Sequence, residues 1–490
     1  MPDISDPYQK QRVESIQALH HSPAQIVVAL SGGGTLMLSD LLTMPGGSRT
    51  LIEAAVPYSS ESLNDYIGRI PEQFCCSRTA RNLAMAAFYR ALNVLRSESL
   101  RKKGFVNPER VSPKTVDVSH DVEDATESVI IRSFKLIEPK DTDEVDEVDT
   151  YQHVFGIGCT ASLATDREKK GEHRVHIAVQ TLQRTIQFSL WFQKDSRTRW
   201  EEERLVADLI LNAVETARQQ EANHTPWTPD VIGSNKDEKS PVFIGELSDC
   251  PLSVQIPLIL KPGEVVQGKQ AVGSPMLVNL FFGKLGAVLW ADGEIQHSIA
   301  YKEIESSSAP VNPYAEFTQA VFPGSFNQIH KGHREMIDIA ENRLGGKAAL
   351  EISVQNVDKP PVDYIELERC LAQIKISAPK QVVWLTQTPL FIHKAGLFRG
   401  TTFIVGADTL KRFADLRFYQ ENVHNLHEIL RAIAYYNCRF LVFARQSKYG
   451  LESLDTLDVP DMLRSLCDDV PSSVFTMNIS SSDLRREEKP

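Results

Sequence analysis

Two periods of hydrophobic and polar positions alternate along the chain. "QIVVALSGGG" is an apolar run ending in glycines, and it is followed by the helix-like "TLMLSDLLTM" and a break at Pro45–Gly47. "SRTARNLAMAAFYRALNVLRSE" sets Leu83, Ala87, Phe88, Ala91, Leu92 and Leu95 at helical spacing. "HRVHIAVQTL" alternates like a strand, and "RWEEERLVADLILNAVETARQQEA" is a long amphipathic helix with Leu205, Leu209, Ala213 and Ala217 in line. Strand and helix signals in alternation predict an α/β domain over residues 1–222. Within it, residues 116–150 form an acidic segment that reads as a solvated insertion.

From residue 223 the helical period fades and short runs such as "PVFIGEL", "LSVQIPLIL" and "HSIAYKEI" stand between prolines and glycines. That composition predicts a β-rich connector over 223–315. A third segment, 316–490, alternates again. Its strand candidates are "FTQAVF", "ALEISV", "QVVWLT", "TTFIVG" and "RFLVFA"; its helix candidates are "REMIDIAENRL", "DYIELERCLAQI" and "LHEILRAIAYY". Five strands with helical crossovers are the ingredients of an open, doubly wound parallel sheet of the Rossmann type, whose ligands sit at the carboxyl ends of the strands.

Composition narrows the class. The chain has 490 residues, more than one hydrophobic core accommodates, with 42% hydrophobic and 24% charged residues, as in ordinary globular proteins. A formal net charge of -11 argues against general binding to nucleic acid or to acidic membranes. The most apolar stretch, "SPMLVNLFFGKLGAVLWADG", is interrupted by Asn279 and Lys284 and is too short to span a bilayer. Seven cysteines without a C-x-x-C pair suggest reduced thiols and no zinc site, so a cytoplasmic protein is expected, with no metal ligands of its own.

Candidate chemistry gathers in "VFPGSFNQIHKGHREM". A strand ends at Pro323–Gly324, and a helix begins near Gly332–His333. The first turn of a helix offers unsatisfied N–H groups and the positive end of its dipole, a natural seat for phosphate. Gly324 lets backbone approach a ligand, Gly332 leaves room between the imidazoles, and His330 and His333 can donate hydrogen bonds to phosphate oxygens.

"GSFNQIHKGH" resembles the GSFxPxHxGH signature of the nucleotidylyltransferase superfamily, which includes nicotinamide mononucleotide adenylyltransferases. Gln328 stands where that family has proline. "FIVGADTL" resembles its G-x-D segment, "NVDKPP" its N-x-x-K region, and "ISSSDLRR" its ISSTxxR signature, all in family order over residues 316–490. The resemblance implies His330 and His333 as catalytic groups. It implies nucleotide contacts at Gly324, Ser325, Phe326, Gly332, Lys359, Gly406, Asp408, Ser481, Ser482 and Arg485. It also implies in-line attack of an acceptor phosphate on the α-phosphate of ATP, with CTP the second choice, Mg2+ riding on the nucleotide and pyrophosphate leaving.

"ALSGGGTLMLSDLLTMPGGSRTLIEAAVPYSS" resembles the nicotinamide mononucleotide amidohydrolase family, also found as the C-terminal domain of competence/damage-inducible proteins. Ser48 matches its serine and Tyr58 its tyrosine, while Leu63 occupies the position of its lysine, and its later G-I-A-G-P loop reads "GIGCTAS". A serine hydroxyl without a base is a poor nucleophile, so the expectation is a degenerate site kept for binding, assembly or regulation. Cys159 reads as a packing thiol. Domains of this kind commonly self-associate, which implies a homo-oligomer.

Both resemblances point to one metabolite, so the expected acceptor is nicotinamide or nicotinate mononucleotide, in NAD biosynthesis. Nucleotidylyl transfer to another phosphorylated acceptor, and a nucleotide-binding regulator with little turnover, are the alternatives.

Overall fold

The computed structural model describes residues 7–102, 151–167, 170–223, 260–300, 317–355, 360–419, 423–447 and 450–475. They fall into two compact units, one drawn from 1–108, 144–274 and 358–366, the other from 109–143, 275–357 and 367–490.

The first unit is built on helices α1 (Pro7–His21), α2 (Leu36–Thr43), α3 (Gly47–Thr50), α4 (Ser60–Tyr66), α5 (Ser77–Lys102) and α6 (Arg199–Asn223). Its strands are β1 (Gln25–Ser31), β2 (Leu51–Ala55), β3 (Val154–Ser162), β4 (His173–Gln180), β5 (Arg184–Phe192) and β6 (Gln267–Val272). They form one mixed sheet in the order β2-β1-β3-β4-β5-β6, parallel from β2 to β3 and antiparallel beyond.

Strand alternation sorts the side chains of β3 onto two faces. Phe155, Ile157 and Cys159 join the core cluster that includes Ile16 and Leu19 of α1, Met37 and Leu41 of α2, and Val206 and Ile210 of α6. Gly156 and Gly158 face α5 instead. A Cβ at Gly156 would lie 2.2 Å from the Ala84 carbonyl oxygen, and one at Gly158 2.2 Å from that of Ala80. The "GIG" stretch is therefore strand, not the loop that the family pattern suggested, and its glycines let helix backbone lie directly on sheet backbone.

The second unit contains α7 (Pro275–Phe281), α8 (Lys331–Leu344), α9 (Tyr364–Ser377, shared at its start with the first), α10 (Phe391–Leu397), α11 (Ala407–Phe413), α12 (Val423–Tyr435) and α13 (Asp461–Ser465). Its strands are β7 (Leu285–Ala291), β8 (Glu294–Ala300), β9 (Ala320–Pro323), β10 (Ala348–Ser353), β11 (Val383–Thr386), β12 (Thr402–Gly406), β13 (Arg439–Phe443), β14 (Arg445–Ser447), β15 (Gly450–Glu452) and β16 (Cys467–Val470). The main sheet runs β16-β13-β12-β9-β10-β11-β7-β8. From β16 to β11 all pairs are parallel, the five expected strands plus β16. Their order reverses between β9 and β12, the doubly wound arrangement with its switch point there. β14 and β15 form a separate hairpin.

The expected connector over 223–315 is corrected by this topology. β6 completes the first sheet, whereas β7 and β8 add an antiparallel edge to the second, β7 pairing with β11. The turn between β7 and β8 is Asp292–Gly293, both at positive φ (55° and 96°), the conformation of a tight hairpin. An Asp-Gly pair between "LGAVLWA" and "EIQHSIA" is the signal for it. The acidic segment 116–150 and the runs "PVFIGEL" and "LSVQIPLI" lie outside the described residues. No described helix is long and apolar enough to cross a membrane.

Replacing Gly158 with alanine should lower the stability of the first unit by about 2 kcal/mol or more, because its Cβ would meet the Ala84 amide nitrogen at 2.4 Å as well. Gly171→Ala, with nothing within 4 Å of the new Cβ, should be close to neutral. Urea midpoints of the two variants check this; equal midpoints would contradict the close-packing argument.

Candidate active site

The carboxyl end of β9 brings the candidate residues together. Pro323 closes the strand, since it lacks the N–H needed to continue a ladder. The Gly324 amide then donates to the Glu351 carbonyl oxygen at the end of β10, 2.9 Å away. Phe326 turns the chain with φ of 38°, an uncommon conformation for a residue with a side chain. Arg369 of α9 donates to the Asn327 carbonyl and side-chain oxygens, both at 3.4 Å, bracing the same turn. His330, in extended conformation (φ −110°, ψ 173°), is the N-cap of α8. Met336, Ile337 and Ala340 bury one stripe of that helix, which fixes its axis against the sheet.

The two imidazoles stack, their centroids 3.6 Å apart with planes 23° from parallel. Nδ1 of His333 accepts from the backbone N–H of His330 at 3.4 Å. Beneath them, the rings of Phe322 and Phe326 meet His333 edge-on at 5.7 and 5.4 Å. Phe326 is only 4% exposed, and its ring packs on His333. Gly324 and Ser325 are exposed and Gly332 is half-buried, leaving backbone accessible around the helix start. Nδ1 of His330 is buried without a hydrogen-bond partner, a polar atom in want of one.

Burial pushes the His330 imidazole below its ordinary value, and the positive charge of Arg445 adds to this. His333 is pushed down to about 3, first by burial and then by His330. The pair is thus neutral near pH 7 in the free protein, and a bound anion would favour its protonation.

Asp408 stands across the switch point, in the first turn of α11, with Gly406 as N-cap. Its carboxylate is ion-paired with Arg445, which follows β13. Sequence reasoning missed Arg445, because no motif marks it; only the adjacency of β13 and β12 puts it beside the site. It also missed a buried cluster next to Gly324. There Glu351 accepts from Thr386 Oγ1 at 2.5 Å and from Lys394 Nζ at 2.6 Å, anchoring the ends of β10 and β11 to α10. Lys359, Ser481, Ser482 and Arg485 lie outside the described residues.

The first unit holds its candidates differently. Ser48 is exposed on the one-turn helix α3, whose N-cap is Gly46, and Tyr58 is 69% exposed. Leu63, 2% exposed on α4, is part of the packing. Cys159 is buried, with its thiol pushed well up by desolvation and its sulfur 3.8 Å from the Gly33 carbonyl oxygen, in keeping with a packing role.

Residues 321–487 match the model of the cytidylyltransferase-like family, which supports nucleotidyltransferase activity in general for this part of the chain. Among solved structures, the chain is similar to the competence/damage inducible protein CihA from Agrobacterium tumefaciens, at 13% identity over 45% of this chain and 98% of that one, with a TM-score of 0.27. It is also similar to a competence-damaged protein (CinA) superfamily protein from Klebsiella pneumoniae, at 12% identity over 45% and 99% of the two chains, with a TM-score of 0.20. No curated protein matches the chain.

Because His333 is depressed in the folded state and ordinary (6.5) when unfolded, the unfolded chain binds more protons between those values. Stability is therefore lost as pH falls from 6.5 toward 3. His333→Gln should reduce that loss, and urea denaturation at pH 7 and pH 5 measures it. Equal losses in both proteins would show that the imidazole is not held neutral.

Proposed function

We propose that the second unit transfers AMP from ATP to the phosphate of nicotinamide or nicotinate mononucleotide, giving a dinucleotide and pyrophosphate. The observation that carries this reading is the stacked His330–His333 pair at the start of α8, set at the switch point of the sheet with the unpartnered His330 Nδ1 buried beside it. That arrangement suits a phosphate chain, which backbone N–H groups, the helix dipole and two imidazoles would hold together.

In the step itself, an acceptor phosphate oxygen forms a bond to the α-phosphorus of ATP. The bond from that phosphorus to the bridging oxygen breaks, and pyrophosphate carries away the electron pair. No protein nucleophile takes part; the chain positions the reactants and stabilises charge on the phosphoryl oxygens. His330 and His333 act on those oxygens, and Ser481, Ser482 and Arg485 are assigned to the β and γ phosphates by the resemblance of "ISSSDLRR". Mg2+ would arrive with the nucleotide and neutralise its charge; among the described residues no group of three or more His, Cys, Asp or Glu could hold a metal ion.

The family name favours testing CTP beside ATP. For the first unit, buried Leu63 supports a domain that does not hydrolyse amides.

Purified full-length protein with Mg2+ should release pyrophosphate and form a dinucleotide from ATP and one of the two mononucleotides. His330→Ala should cost about 2–4 kcal/mol of transition-state stabilisation, roughly 30- to 1,000-fold in kcat. Turnover only with another phosphorylated acceptor would keep the reaction class and remove the acceptor assignment. ATP binding without turnover on any acceptor would favour a regulator. Nicotinamide mononucleotide alone should release no ammonia; release would restore hydrolysis to the first unit.

A further inference from the structure

α11 and the β14–β15 hairpin are joined by two ion pairs. Asp408 pairs with Arg445, and one turn along α11 Lys411 pairs with Glu452 at 3.0 Å. Arg445 and Glu452 are themselves cross-strand partners in the hairpin. The four side chains therefore alternate in sign around a small quadrilateral, one corner of which, Arg445, lies close enough to His330 for its charge to act on that imidazole.

The Asp408–Arg445 pair is not a buried structural bridge: its side chains are 41% and 28% exposed. An ion pair so accessible contributes little to stability, about 0–1 kcal/mol by the usual range, and opens easily. The two groups are also complementary to different parts of one molecule. A guanidinium presents donors matched to phosphate, and a carboxylate accepts from a sugar diol. A nucleotide at the switch point offers both at once.

We propose that Asp408 and Arg445 form an exchangeable pair, which a nucleotide opens so that Arg445 takes a phosphate and Asp408 the ribose hydroxyls. Resemblance alone had placed Asp408 near a ligand, and nothing had marked Arg445. The Lys411–Glu452 pair lies one turn further along α11 and does not involve either exchanging group, so the exchange needs only side-chain rotation. Each half of the pair holds the other satisfied until its own ligand group arrives. In the free site Arg445 is thus compensated beside the neutral histidines. This inference rests on the nucleotidyl-transfer reading of the same site.

The test measures binding of inorganic tripolyphosphate and of ATP with Mg2+ by calorimetry, using the full chain as wild type, Arg445→Ala, Arg445→Lys, Asp408→Asn and His330→Ala. Arg445→Ala should weaken both probes by about ten- to a hundredfold, with Arg445→Lys recovering part of the loss. Asp408→Asn should act in the opposite sense on tripolyphosphate, tightening it several-fold by releasing Arg445, while lowering the affinity for ATP relative to tripolyphosphate. A merely structural pair would lower the melting temperature of both variants and leave both affinities unchanged or weakened alike, which would overturn the exchange. If His330→Ala weakens binding while the Arg445 and Asp408 variants bind like wild type, the exchange falls and the site reading stands. If wild type binds neither probe, the site reading itself falls.

Discussion

Strand β9 is paired on both sides, with β10 through Ala320–Ala348 and Val321–Ala349, and with β12 through Ala320–Thr402 and Val321–Phe403. Everything at the candidate site depends on that double pairing. Ala320, Val321 and Phe322 are all buried, so β9 is packed on both faces, and a one-residue slip would exchange small and large side chains between two close-packed layers. With register fixed, the end of β9 is fixed too, and with it the place where Pro323 releases the chain. The doubly wound order then sends α8 away from one side of β9 and α11 away from its neighbour β12. The starts of these helices, with His330 and Gly406 as their N-caps, consequently flank the switch point.

Within this frame the described histidines and Arg445 carry no uncompensated positive charge near pH 7. Two imidazoles are stacked and desolvated, hence neutral, and the nearby arginine is matched by a carboxylate. An anion beside the imidazoles would favour their protonation. Phe322 and Phe326 fix His333 from below, and Arg369 braces the strained turn that carries Phe326. The sheet of the first unit packs well, with Gly156 and Gly158 bringing α5 onto β3 and Leu63 buried on α4.

Periodicity determined the elements well, because each amphipathic helix and short apolar strand records its own burial. The five strand runs from "FTQAVF" to "RFLVFA" and the three helices between them all form. So did the local chemistry of "GSFNQIHKGH", since a strand end, a turn and a helix start lie within a few residues of one another. What lies far apart in sequence was not legible. The residues between 223 and 315 read as one β-rich stretch, yet β6 and the β7–β8 hairpin belong to different sheets, because edge pairing is decided by which strand lies open, not by local preference. Arg445 carries no motif at all. It reaches Asp408 because β13 lies beside β12, and a salt bridge between residues so distant in the chain exists only once the sheet order is set. The sequence by itself determined the elements and the turn that holds the histidines, through local burial and backbone preference. Tertiary structure alone decided the strand order, and so which charges stand beside them.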